Sequence, residues 1–192
     1  MMTLASLERI IGPPTVTPVQ PDWNTIATEH GIVFPSDYKA LTERYTALDI
    51  HEFLFIYHPA SASGNLLSGR RPQAEDVNSY LERTQKFAGG YDPETATVIP
   101  ADPTIRVDYT IYPEPGGLLS WGVTVNAQKC LWLTHENPEM WTVVIGDNVW
   151  GWWHYQGSMT RFLVDVLGEK FTCPLLDPFP AEWSITDIYE CP

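Results

Sequence analysis

The residue types best suited to chemistry in this sequence are a serine–lysine pair, five histidines and a surplus of carboxylates. Ser36-Asp37-Tyr38-Lys39 has the S-x-x-K spacing of an acylating serine, where a nearby lysine assists the hydroxyl. The S-D-N and K-T-G companions of such sites do not occur in the sequence. Ser36 also stands where a helix cap is expected, and capping is the reading adopted. His30, His51, His58, His135 and His154 show neither H-E-x-x-H nor H-x-E spacing with downstream cysteines. Carboxylates are so numerous that any two could be named acid and base, which makes the signal unspecific. Gly89-Gly90 and Gly116-Gly117 lack the strand, helix and lysine of a phosphate loop. The expectation is therefore no catalytic residue, no cofactor and no metal ligand.

Six of the eight tryptophans fall between Gly116 and Leu167, in a stretch dense in aromatic and β-branched residues. Cys130–Thr134, Met140–Ile145 and Val149–Tyr155 read as three short strands. The connections His135–Pro138 and Gly146–Asn148 are short enough to make them antiparallel neighbours. From Ser158 the period changes: Met159, Phe162, Leu163, Val166 and Leu167 have helical spacing, and Gly168 ends the run. Strand alternation sends Trp150, Trp152 and His154 one way and Trp153 and Tyr155 the other. Most of this block is expected to be core, with at least one large aromatic left on an open face.

Upstream, Thr3–Ile11 reads as a weak amphipathic helix closed by Gly12-Pro13-Pro14. Pro21 opens a second helix that ends at Gly31. A third helix starts at Ser36, with Tyr38, Leu41, Tyr45 and Leu48 on its buried face. Glu52–His58 is expected as a strand, Ala74–Phe87 as a surface helix, and Gly89-Gly90 with the following prolines as a loop. Ile105–Tyr112 alternates strictly and reads as a half-buried strand. Trp183–Tyr189 is expected as either an edge strand or packed coil.

The chain of 192 residues suits one domain with a tail. Its boundaries are expected at 1–20 for an N-terminal helix and linker, 21–170 for the domain and 171–192 for a C-terminal extension. Eleven basic against twenty-four acidic residues give a formal charge of −13. That charge argues against nucleic acid and anionic membrane as partners and suits a basic protein. Cys130, Cys173 and Cys191 form no C-x-x-C pair, which suggests a reducing compartment. The N-terminus does not read as a signal peptide, and no apolar run is long enough to cross a bilayer. A cytoplasmic protein is expected.

A series of short motifs then resembles one family. Gly31-x-x-Phe34-Pro35-x-Asp37-Tyr38 is similar to the G-x-x-[LF]-P-x-D-Y opening of the SUKH superfamily, which includes Smi/Knr-type cell-wall assembly regulators and bacterial immunity proteins. Leu119-x-Trp121-Gly122, Leu131-Trp132, Trp141-x-Val143-Val144, Trp152-x-x-Tyr155 and Ser158 with Phe162-Leu163 resemble its later motifs in the same order. They span roughly Trp23 to Leu167. Ser120 replaces the usual proline before Trp121, and Asn126-Ala127-Gln128 replaces the usual N-G-D turn. The resemblance implies an α+β fold: a curved antiparallel sheet of about six strands with helices packed on one side. It implies a non-catalytic protein-binding module, first an immunity protein against a cognate toxin such as a nuclease. The alternative is a solitary regulatory or scaffold protein, with an uncharacterised enzyme behind both. The expected partner surface combines Trp150, Trp152 and Trp153 with the loop carboxylates Glu114, Glu136, Glu139 and Asp147.

Overall fold

The computed structural model describes residues 4–62, 65–68, 70–176 and 188–191. Among these, five helices and ten strands form an α+β fold. The helices are α1 (Leu4–Ile11), α2 (Trp23–His30), α3 (Ser36–Arg44), α4 (Arg70–Arg83) and α5 (Met159–Leu167). The strands are β1 (Ala47–Ile50), β2 (Leu54–Ile56), β3 (Lys86–Asp92), β4 (Thr97–Ile99), β5 (Asp102–Arg106), β6 (Leu118–Thr124), β7 (Lys129–Leu133), β8 (Thr142–Asp147), β9 (Gly151–Tyr155) and β10 (Ile188–Cys191). They form one open sheet in the order β10-β1-β2-β6-β7-β8-β9-β3-β4, with β5 also paired to β3.

The three strands expected from the tryptophan-rich stretch are β7, β8 and β9 in the middle of this sheet, and β6, not expected as a strand, adds a fourth, each antiparallel to the next. The sheet is larger than the six strands expected, and it is mixed, because β3 joins β9 in parallel. Two of the unexpected strands, β1 and β3, replace other expected elements. Leu48, expected on the buried face of the third helix, lies in β1, since α3 stops at Arg44. Gly89-Gly90, expected as a loop, lies inside β3. Both glycines are there because the neighbouring backbone leaves no room. A Cβ on Gly90 would come within 2.3 Å of the His154 carbonyl oxygen, and one on Gly89 within 2.5 Å of the Ile99 carbonyl oxygen. Gly89 also has φ +99, a backbone state that side chains oppose.

Strand alternation divides the buried side chains between two faces. Leu119, Trp121, Cys130, Trp132, Val143, Ile145, Trp153 and Tyr155 point to one face, where they pack with Leu7, Ile11, Tyr38, Leu41, Phe162 and Leu163 of α1, α3 and α5. Leu118, Leu131, Val144 and Trp152 point to the other, under Val77 and Tyr80 of α4. Helices therefore cover both faces, not the single face expected. A sheet with apolar residues on both sides of its central strands needs two covers, and the polar sequence of α4 disguised the second. Of the alternating residues of Ile105–Tyr112, Val107, Tyr109 and Ile111 pack against that second layer, whereas Ile105 is exposed. Those three do so mostly outside strand pairing, because β5 ends at Arg106.

The N-terminal segment is integral to the core: Leu7 is fully buried and Arg44 pairs with Glu8 at 2.6 Å. Of the C-terminal segment expected as edge strand or coil, β10 pairs antiparallel with β1, and residues 177–187 lie outside the described residues.

Candidate functional site

The serine–lysine pair is resolved first by its contacts. Ser36 begins α3 but does not cap it: its hydroxyl donates to Glu139 Oε2 at 2.6 Å and its N–H to Oε1 at 2.9 Å. Glu139, 103 residues away, thus supplies the acceptor at this helix start. Lys39 turns the other way, with its ammonium 5.5 Å from the ring centroid of Trp23. Asp37 is used similarly across elements, accepting the Thr160 N–H of α5 at 2.9 Å. Two adjacent residues of one motif therefore help fix the starts of two helices.

The histidines are structural or exposed. His58 is fully buried, with Nε2 2.9 Å from the Thr42 carbonyl and Nδ1 accepting the Ala60 and Ser61 N–H groups at 3.0 and 2.9 Å. That arrangement needs the neutral ring, and burial lowers its pKa. His154 pairs with the Thr142 hydroxyl at 2.8 Å and is also lowered by burial. Burial pushes the Cys173 thiol up to about 12 and the Cys130 thiol higher still, so neither is a thiolate. Among the described residues no group of three His, Cys, Asp or Glu is placed to hold a metal ion.

Of the residues expected to bind a partner, the structure keeps Trp150 at the surface and withdraws two. Trp150 is 70% exposed, on the turn between β8 and β9. Asp147 builds that turn by accepting the Val149 and Trp150 N–H groups, both at 2.8 Å. Trp152 is buried under α4 and donates its indole N–H to the Thr84 carbonyl at 3.0 Å. Trp153 is buried on the opposite face and stacks on Phe171, centroids 5.5 Å apart. Trp152 offers no side chain to a partner and Trp153 only an edge that borders an apolar groove beside Trp150, because the sheet is covered on both faces at β9.

The expected carboxylates divide between two ends of the sheet. Glu114 and Glu136 are exposed at one end, where the Thr134 hydroxyl ties the two loops together through the Gly117 carbonyl at 2.7 Å. Glu139 is at that end and committed to Ser36. Asp147 and Trp150 lie at the other end, a β8 length away, or roughly 20 Å at 3.3 Å per residue. The structure does not bring the seven residues together as one surface.

What accompanies Trp150 is an apolar groove absent from the sequence expectations. One compartment of about 670 Å³ is lined by Tyr91, Trp153, Phe171, Ile99 and Pro100, and a second of about 460 Å³ by Phe87, Val149, Trp150, Pro103 and Leu175. They adjoin at Ala88, Ala101 and Pro174, which line both. Nearby, Val98 is 69% and Val149 64% exposed. The groove exists because the sheet outruns its helical cover. At the β3–β4–β5 end the cover is the segment after α5, where Phe171 stacks on Tyr91 at 4.6 Å, and small residues form the floor. The only advance signal was the cluster of Ala88, Gly89, Gly90 and Ala101, which reads equally well as a loop.

No protein-family model, no curated protein and no solved structure matches this chain.

Proposed function

We propose that the chain is a non-catalytic protein-binding module that acts as an immunity protein, neutralising a cognate basic toxin. The observation that carries this reading is Trp150, a large aromatic held in solvent beside an apolar groove on a protein of formal charge −13. An exposed tryptophan bordering an apolar groove is a feature that marks interaction sites, and tryptophan is among the residues that most often anchor an interface. The charge supplies the second half of the argument. An inhibitor must reach its target before damage is done, and opposite charge raises association rates 10- to 1,000-fold. A nuclease toxin, basic where it grips phosphate, is one target of the right sign. The resemblance of the Phe34–Tyr38, Trp121, Trp132, Trp141 and Trp152–Tyr155 motifs to the SUKH superfamily supports the same class of function. So does the engagement of Ser36 by Glu139, which leaves the serine–lysine spacing with a structural use.

The test is kinetic. Association with the product of the adjacent reading frame is measured across a salt series, with a high rate that falls steeply as salt rises expected. A slow, salt-independent rate removes the steering argument. Absence of binding to either neighbouring product favours the regulatory or scaffold role instead.

A further inference from the structure

Cations are scarce in this chain, so the places where they stand unpaired are informative. Arg44, Lys129, Arg161 and Lys170 each hold a carboxylate, and Lys39 lies over the ring of Trp23. Lys86 and Arg106 are both exposed, and neither is ion-paired among the described residues. They stand opposite one another in the β3–β5 pairing. Like charges so placed repel, and an anion bound between them relieves the repulsion.

Both belong to the groove side of the sheet. Val107 packs under α4, so alternation sends its neighbour Arg106 to the other face, the face of Trp153 and Phe171. Lys86 lines the compartment that holds Trp150, and it abuts β9 so closely that a Cβ on Gly151 would come within 2.4 Å of the Lys86 carbonyl oxygen. No carboxylate lines either compartment. Asp102, opposite Phe87, accepts the Thr104 N–H and hydroxyl at 2.8 and 2.6 Å, and Asp147 accepts the N–H groups of its own turn. The local charge of the groove is thus positive, although the chain as a whole is at −13.

We infer that the groove receives an apolar segment of the protein partner that bears an aspartate or glutamate, whose carboxylate accepts hydrogen bonds from Lys86 and Arg106. The two signs of charge act at different ranges. Fields fade over about 8 Å at physiological salt, so net charge governs approach and the cation pair governs what is held in contact. A partner that is basic overall is drawn in by the first and fixed at this point by the second. Val98, Val149 and Trp150 give the groove a broad exposed apolar rim, which a protein covers more fully than a small anion does. This inference rests on the protein-binding reading and specifies which part of the partner makes contact.

The first test uses the adjacent gene product. Lys86→Gln combined with Arg106→Gln changes two exposed side chains and makes the chain two charges more negative. Steering alone leads to faster capture and no faster release. A carboxylate held by the two cations leads to release at least tenfold faster, which is the result expected. Unchanged or slower release overturns the inference and leaves the protein-binding reading standing.

The second test needs no partner. A blocked nine-residue peptide carries three leucines flanked on both sides by two glutamates, with serine at each end, so that either chain direction is sampled. Its binding to the full chain is followed by NMR shifts of the Trp150 indole and the Ala88 and Ala101 amides. It is expected to bind at least tenfold tighter than the same peptide with glutamine, with the lysine version weakest, and the double variant is expected to lose this preference. Equal binding of the three peptides, no binding of any, a preference for lysine, or shifts elsewhere on the protein overturns the inference. Shifts that grow with protein concentration alone would assign the groove to a second copy, and tighter binding of laurate would assign it to a free amphipathic anion; either also overturns it.

Discussion

The central meander β6–β9 and the outer ribbon β3–β5 belong to the same sheet but differ in how their faces are closed. In the meander, large rings interlock: Trp121 and Trp132 lie 6.5 Å apart, Trp132 and Trp141 5.6 Å, and Trp121 meets Phe162 of α5 edge-on at 6.0 Å. Every strand there has a helix or a packed segment on at least one face. In the ribbon, β4 is largely exposed and β5 mostly so, while β3 contributes alanine and glycine where the meander contributes tryptophan. Bulky residues close a sheet face and small ones leave room over it. Stability is thus concentrated in the meander, and the space for a partner lies at the ribbon.

The largest test of this contrast is Phe162→Ala. Phe162 is fully buried against Trp121 and Tyr155, so its removal is expected to cost about 3–5 kcal/mol, measured by denaturant unfolding. A loss below about 1 kcal/mol would mean that α5 does not close the meander.

Gly90→Ala asks whether the ribbon is rigidly joined to the meander. The added methyl meets the His154 carbonyl oxygen at 2.3 Å, and a loss of about 2–3 kcal/mol is expected in the same assay. An unchanged midpoint would show that β3 and β9 separate easily.

Acid should weaken the fold through His58, held against α3 after β2, and through His154 of β9. Both have pKa values lowered in the folded protein, so below about pH 6.5 the unfolded chain takes up protons that the folded one resists. Stability present above pH 6.5 is therefore lost as pH falls towards the folded pKa values, with a slope of at most about 1.4 kcal/mol per pH unit for each ring. Unfolding midpoints measured with His58→Gln in parallel separate this effect from carboxylate protonation, and an unchanged acid slope in the variant would exclude His58 as a source.

Asp37→Ala removes the acceptor for the α5 N–H and is expected to cost roughly 0.5–2 kcal/mol, as helix-start acceptors generally do. Asp37→Asn should recover part of the loss. The smallest change in stability belongs to the ribbon side: Trp150→Ala is expected to shift unfolding by less than about 0.5 kcal/mol. Its effect on partner binding should be a loss of about 2 kcal/mol or more, the scale of a dominant interface residue. A stability loss as large as that of Phe162→Ala would place Trp150 in the core and end its role as an anchor.

How much of this was legible in sequence depended on whether the information was local. The β7–β9 strands, the helix beginning near Ser158 and the turn geometry at Asp147 follow from alternation, helical period and turn chemistry over a few residues. So does the inward side of Val107, Tyr109 and Ile111, although the hydrogen bonding there does not. Leu48 was misplaced because its spacing from Tyr45 fits a helix, while its partners, Ile56 and Glu190, are eight and many more residues away. Gly89-Gly90 was misplaced because two glycines signal a turn unless another strand is known to press against them.

For the candidate site, the sequence determined that a turn lies next to Trp150 and that the protein as a whole is acidic, while it placed Trp150 itself in the strand that begins only at Gly151. Only the tertiary structure decided the rest. Exposure of Trp152 and Trp153 was a matter of whether α4 and Phe171 cover them, and neither cover is encoded near β9. Glu139 was diverted to Ser36 and the carboxylates were divided between two ends of the sheet, because strand direction, not sequence separation, sets which loops meet. The groove arises where the ten strands extend past the short helices, so its presence depends on packing across the whole fold.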